Sequence, residues 1–149
     1  MEKQNFYDLN FDQLKFFLID KAEVDSNKAK MRAQQMFNAV YKKNIQSLDE
    51  LTTFGLELRE KIKNLISLDK PKIIDIQKSK DGTIKFLLEL RDKRNVETVL
   101  IPDKTQSRYT ICLSVSVGCY LSCEFCATAQ IAKKLVRNLT PGEIISQII

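Results

Sequence analysis

Gly118-Cys119-Tyr120-Leu121-Ser122-Cys123-Glu124-Phe125-Cys126 is the stretch on which the reading of this chain turns. Three of the 4 cysteines are spaced C-x₃-C-x₂-C, and the fourth, Cys112, lies just upstream, so the cysteines are gathered into one short segment. Such spacing favours a bonded or liganding role over chance. Disulfides are a poor explanation in a protein read as cytosolic. A four-cysteine zinc site usually pairs two C-x₂₋₄-C knuckles, and Cys112-x₆-Cys119 is too long to be one. Three thiolates instead suit an iron–sulfur cluster with one iron free of protein ligands, which can bind a substrate group while the cluster donates an electron. A cysteine loop directly after a strand, with aromatic Phe125 before the last thiol, would hold a 4Fe–4S cluster at the mouth of a β/α barrel.

A complete (β/α)₈ barrel typically takes about 250 residues and rarely fewer than about 200. The 149 residues here cannot close one. The composition, 44% hydrophobic and 29% charged, is that of a folded soluble protein. The longest strongly apolar runs, Phe16 to Ile19 and Phe86 to Leu88, fall far short of the ~20 residues of a membrane span, and the first five residues lack a signal core. A cytoplasmic protein without membrane association is expected. Histidine is absent, which removes the commonest general base and every histidine-containing zinc site. The net charge of +5 admits a polyanionic partner.

Three segments succeed one another: residues 1–70 helical, 71–104 strand-like, and 105–149 carrying the cysteines. Asn10 with Gln13 forms a capping box opening a helix through Leu14, Phe17 and Leu18. A second helix from Ser26 or Asn27 is expected to bury Met31, Met36, Phe37 and Val40. Ser47 with Glu50 opens a short helix through Leu48 and Leu51, and Gly55 precedes another through Leu58, Ile62 and Leu65. Between Ser26 and Leu48 stand Lys28, Lys30, Arg32, Lys42 and Lys43 without an acidic residue, either a solvated helix surface or a phosphate-contacting face. After Pro71, the isoleucines 73, 74 and 76, the turn Asp81-Gly82 and the run Ile84 to Leu90 predict a hairpin, and Val96 to Ile101 a third strand. Residues 103–108 read as a loop and Tyr109 to Ser116 as a further strand. Thr140-Pro141-Gly142-Glu143 is a helix start.

The C-x₃-C-x-aromatic-C loop resembles the signature of the radical S-adenosylmethionine superfamily. A wider set of segments is similar to the RlmN/Cfr family of RNA adenine methyltransferases: Val96-Glu97-Thr98-Val99-Leu100-Ile101-Pro102, Cys112, Ser116-Val117-Gly118-Cys119, Phe125-Cys126-Ala127-Thr128-Ala129-Gln130, and Arg137-Asn138-Leu139-Thr140 with Glu143-Ile144-Ile145. Met31 to Phe37 and Ser47 to Thr52 are similar to that family's helical accessory domain.

The resemblance implies an α/β fold: a helical, RNA-binding accessory domain over 1–70, a hairpin and three-strand connector over 71–104, and over 105–149 the first strand and helix of an incomplete barrel. It implies radical methylation of adenine C2 in 23S rRNA and tRNA, with a 4Fe–4S cluster and S-adenosylmethionine as cofactors and a flavodoxin-type reductant as electron donor to a monomeric enzyme. Cys119, Cys123 and Cys126 would hold the cluster, with Phe125 beside the adenine of S-adenosylmethionine. Glu97 would accept the ring proton, and Cys112 would resolve the protein–RNA adduct through a transient disulfide. From the residues alone, Glu97 also reads as a solvent-facing strand residue and Cys112 as a small buried hydrophobe. No cysteine follows Cys126 to carry the methyl group. The chain is therefore expected to be an N-terminal part, inactive alone. Two other readings use the same residues: a catalytically dead RNA-binding remnant and a small zinc-binding module.

Overall fold

The computed structural model describes residues 3–103, 105, 107–121, 123–125 and 135–149. The chain divides into two compact units, one running to Asp69 and one from Lys70 to Ile148. No helix among the described residues is long and apolar enough to cross a membrane.

The first unit is helical, with one short parallel pairing of β1 (Gln4–Asn5) and β2 (Ile66–Ser67). Helix α1 (Phe11–Asp20) starts at Asn10, whose side chain accepts from the Gln13 amide at 2.9 Å while the Gln13 side chain accepts from the Asn10 amide at 2.8 Å. It buries Leu14 and Leu18. Helix α2 (Ser26–Phe37) is capped by Asp25 and buries Ala29, Ala33 and Met36, one face of a 3.6-residue period. That face excludes Met31, which is 49% exposed and not in the core as its spacing suggested. Two small alanines let α2 approach its neighbour closely, and Met31 lies about 200° around the helix from Ala29. Past Phe37 the ladder widens into a π-turn over Asn38–Lys42, where the Lys43 amide reaches back to the Asn38 carbonyl at 3.0 Å. Ser47 and Glu50 form their capping box around a single 3₁₀ turn, Leu48–Glu50, and Leu51 is buried beyond it. Helix α3 (Leu56–Leu65) buries Ile62.

The second unit is built on an antiparallel meander of β3 (Lys72–Lys78), β4 (Ile84–Glu89), β5 (Asn95–Asp103) and β6 (Arg108–Cys112). Residues 71–104 carry three of these strands, and β6, in the segment expected to supply the first strand of a barrel, pairs antiparallel with β5 as the fourth strand of the meander. In the turn after β3, Gly82 adopts φ 94°, and the Asp81 carboxylate accepts from the Thr83 amide at 3.0 Å and its hydroxyl at 3.1 Å. The strand expected from Tyr109 to Ser116 is interrupted. It stops at Cys112 and resumes as β7 (Ser116–Val117), which pairs with β8 (Arg137–Asn138) in a separate two-stranded sheet. The cause is distant in sequence: the Gln147 amide accepts from the Ser114 N–H at 3.1 Å and donates to the Ser114 carbonyl at 2.8 Å, so a side chain satisfies the peptide that a neighbouring strand would have taken. Leu88, Leu90, Val96 and Leu139 form the core, with Phe86, Val117 and Ile144 packed against it. One face of the meander is thereby covered by the β7–β8 pair and helix α4 (Pro141–Ile145).

Candidate functional site

The cysteine loop leaves β7 through Gly118, at φ 77°, a left-handed conformation that glycine adopts without steric cost. The Ser116 hydroxyl donates to the Gly118 carbonyl at 2.9 Å and fixes this exit. Cys119 and Cys123 are half-buried free thiols, and the Leu121 amide donates to Cys119 Sγ at 3.4 Å. Cys126 lies outside the described residues, and no group of three metal-ligating side chains forms among the described residues. The donor chemistry still fits an iron–sulfur cluster: the motif supplies sulfur only, the chain has no histidine, and one sulfur already accepts a backbone N–H as cluster-ligating thiolates do. Phe125 is 92% exposed and Tyr120 and Leu121 are exposed as well. The aromatic ring is thus open to a partner.

Glu97 and Cys112 lie on one face of the meander, at diagonal positions of adjacent strands. Glu97 lies opposite Leu87, and Cys112 opposite Val99, two residues further along β5. Diagonal positions of this kind are about 7–8 Å apart. The intervening strand residues Val96 and Thr98 point into the core, which leaves Glu97 outward. Its carboxylate is ion-paired with Lys85 at 2.9 Å, and both side chains are open to solvent. The backbone of Glu97 is tied to Ser114, whose hydroxyl donates to the Glu97 carbonyl at 2.7 Å and accepts its amide at 3.3 Å. Cys112 is exposed, so it is not the buried hydrophobe its residue type allowed. The described cysteines, Cys112, Cys119 and Cys123, are all free.

Gln147 and Asp92, which sequence reasoning passed over, organise this region together with Arg137. Gln147 closes the break at Ser114 and accepts from the Thr98 hydroxyl at 2.7 Å. Arg137 donates to both oxygens of Glu143, at 2.7 and 2.8 Å, and through Nε to Asp92 at 2.8 Å. These bonds hold the Glu143 and Asp92 carboxyls below the ordinary carboxylate range and raise the Arg137 guanidinium above its own. The capping box of Thr140 and Glu143 was visible in the sequence, but not the arginine that shares it.

In the helical unit, Lys28, Lys30, Lys42 and Lys43 are exposed. Arg32 is not available in the same way. Its guanidinium donates to Gln35 and to the Thr53 carbonyl, each at 2.9 Å, and lies 5.0 Å from the centre of the Phe54 ring. Tyr41 stands beside the lysine pair at the edge of an aromatic cluster with Phe6, Tyr7 and Phe37. A cleft of about 170 Å³ lined by Gln35, Asn38, Lys43 and Thr52 adjoins it.

No family model matches the sequence. A Staphylococcus epidermidis protein named probable dual-specificity RNA methyltransferase RlmN is 38% identical over 148 residues, 99% of this chain and 38% of that protein. The dual-specificity RNA methyltransferase RlmN of Campylobacter fetus is 39% identical over 157 residues, 98% of this chain and 41% of that protein. The chain is a homologue of the RlmN proteins. It spans about two fifths of the length of these curated RlmN relatives. Its mixed α/β fold is shared with a radical SAM methyltransferase from Sphaerobacter thermophilus, whose crystal structure matches with a TM-score of 0.80 at 32% identity, covering 97% of this chain and 40% of that one.

Proposed function

We propose that this chain serves the RlmN-type reaction, radical S-adenosylmethionine-dependent methylation of C2 of adenine in 23S rRNA and tRNA. The observation that carries the reading is a sulfur-only donor loop, rooted on a paired base, in a chain that aligns over nearly its whole length with RlmN proteins. Cys119, Cys123 and Cys126 would hold a 4Fe–4S cluster. When bound, the cluster supplies the electron that cleaves S-adenosylmethionine. Phe125, already exposed, would stack on the adenine of that cofactor.

Glu97 would take the proton that leaves the adenine ring, and Lys85 holds its carboxylate in place until then. Cys112, on the same face, would attack the sulfur of the protein–RNA adduct. The carbon–sulfur bond breaks as the sulfur–sulfur bond forms, and the electron pair left on the RNA carbon takes up a proton. Residues 1–70 would seat the RNA, 71–104 carry Glu97, and 105–149 begin the catalytic barrel. The partners that go with this reading are 23S rRNA, tRNA and a flavodoxin-type reductant, with a monomeric protein in the cytoplasm. The 149 residues by themselves would hold the cluster and bind RNA without turnover.

Anaerobic reconstitution of the chain with iron and sulfide tests the reading. A brown protein with about four irons per chain and a paramagnetic signal on reduction is expected. A colourless stoichiometric zinc site that resists iron would sink it. Methyl incorporation into ribosomal or transfer RNA by this chain alone would show that the proposed division of labour is wrong.

A further inference from the structure

We propose that Arg137 is a positioning residue for the cluster: its clasp on Asp92 and Glu143 holds shut the two-stranded base of the cysteine loop and so fixes the thiols before iron arrives. This rests on the cluster reading above. Val117 and Arg137 are directly paired, and all three cysteines of the motif lie in the chain between them. The base is small. It consists of two residue pairs, flanked by bonds from the Val136 amide to the Val117 carbonyl at 2.8 Å and from the Leu139 amide to the Val115 carbonyl at 2.9 Å. A two-stranded ribbon of this size is marginal by itself.

Arg137 supplies what the ribbon lacks. Its planar fork engages Glu143 through two bonds, Asp92 through a third and the Asn138 carbonyl at 3.1 Å through a fourth. One guanidinium therefore joins the turn after β4, strand β8 and the start of α4, where Glu143 also accepts the Thr140 amide at 2.9 Å. The group is 29% exposed, so these bonds are shielded more than those of an open surface pair. No contact runs from Arg137 to a described thiol; its influence passes through the ladder.

The test uses the full 149-residue chain, its Arg137→Gln, Arg137→Lys and Asp92→Asn variants, and two readouts. In the metal-free protein, hydrogen exchange at the Val136 and Leu139 amides reports the clasp. After anaerobic reconstitution, the rate of iron loss to a chelator and the g-values of the reduced protein report the thiols. For Arg137→Gln, both exchange at those amides and iron loss should be roughly tenfold faster, with shifted g-values and unchanged protection in β4 and β5. Arg137→Lys should recover only part, because an ammonium cannot make the paired bonds. Asp92→Asn, which spares the capping box, should move the same readouts less, and it decides the matter if Arg137→Gln also loses the sheet's protection. Unchanged exchange, or faster exchange with iron loss and spectrum like the wild type, overturns the role of Arg137. A wild-type chain that takes up no iron overturns the cluster reading itself.

Discussion

At the scale of single residues, Glu97 and Cys112, the two candidate groups outside the loop, are placed by strand register. Glu97 and Cys112 belong to adjacent strands, and the offset of two residues is what puts both on the outer face. Register could not be read from the sequence, because the pairing of β5 with β6 is set by a turn through Ser107 at φ 48° and by the Ser114 contact to Glu97. The outward alternation of Glu97 was legible; the partner Lys85 was not. The thiols differ in a way that iron content can read. Cys112→Ala should leave the iron taken up on reconstitution at the wild-type level, since Cys112 lies on the sheet and outside the loop. Cys123→Ala should lower iron severely. Equal losses in both variants would mean that Cys112 is itself a ligand.

At the scale of elements, what the sequence made legible was local chemistry. The three capping boxes, Asn10 with Gln13, Ser47 with Glu50 and Thr140 with Glu143, all form, because each is closed by side chains three residues apart. What escaped was decided far along the chain. Gln147 takes the Ser114 peptide, just past the end of β6, from 33 residues away, and Arg137 finds Asp92 at a separation of 45. The Arg137 cluster makes β7, β8 and α4 sensitive to acid. Its hydrogen bonds depress the Glu143 and Asp92 carboxyls in the folded state, so their contribution is fully present above the unfolded values of about 4 and lost as pH falls through the lower folded values. A thermal midpoint followed from neutral pH into acid should hold steady and then fall below about pH 4. Glu143→Gln should shallow that fall, with Asp49 and Asp81 still contributing to it. An identical acid profile in the variant would place the acid-labile interaction elsewhere.

At the scale of the whole molecule, the two units carry different kinds of chemistry, one helical with four exposed lysines in a stretch free of acidic residues, the other sulfur-bearing and built on strands. The basic segment was legible as a cluster of charge but not as a surface, since Arg32 is turned to Phe54 and Thr53 while the four lysines remain open. If those lysines meet RNA phosphates, affinity must fall with salt, by a slope of roughly 0.7 per phosphate neutralised on a single strand. Reversing Lys42 and Lys43 to glutamate should weaken RNA binding and reduce that slope by roughly 1–2. A flat response to salt in the unaltered protein would remove the lysines from the interface.

The π-turn at Asn38–Lys42 bears on how such an interface keeps its aim. Each residue of an α-helix advances about 100° around the axis, and the turn closed from the Lys43 amide to the Asn38 carbonyl holds one residue more than an α-turn. The widened turn absorbs that residue where it stands, so Lys42 and Lys43 face, relative to Lys28 and Lys30, as they would on a regular helix one residue shorter. Deletion of one residue inside the turn would restore the regular ladder and leave the positive charge facing the same way, whereas the same deletion between Lys30 and Phe37 would swing Tyr41, Lys42 and Lys43 round together by about 100°.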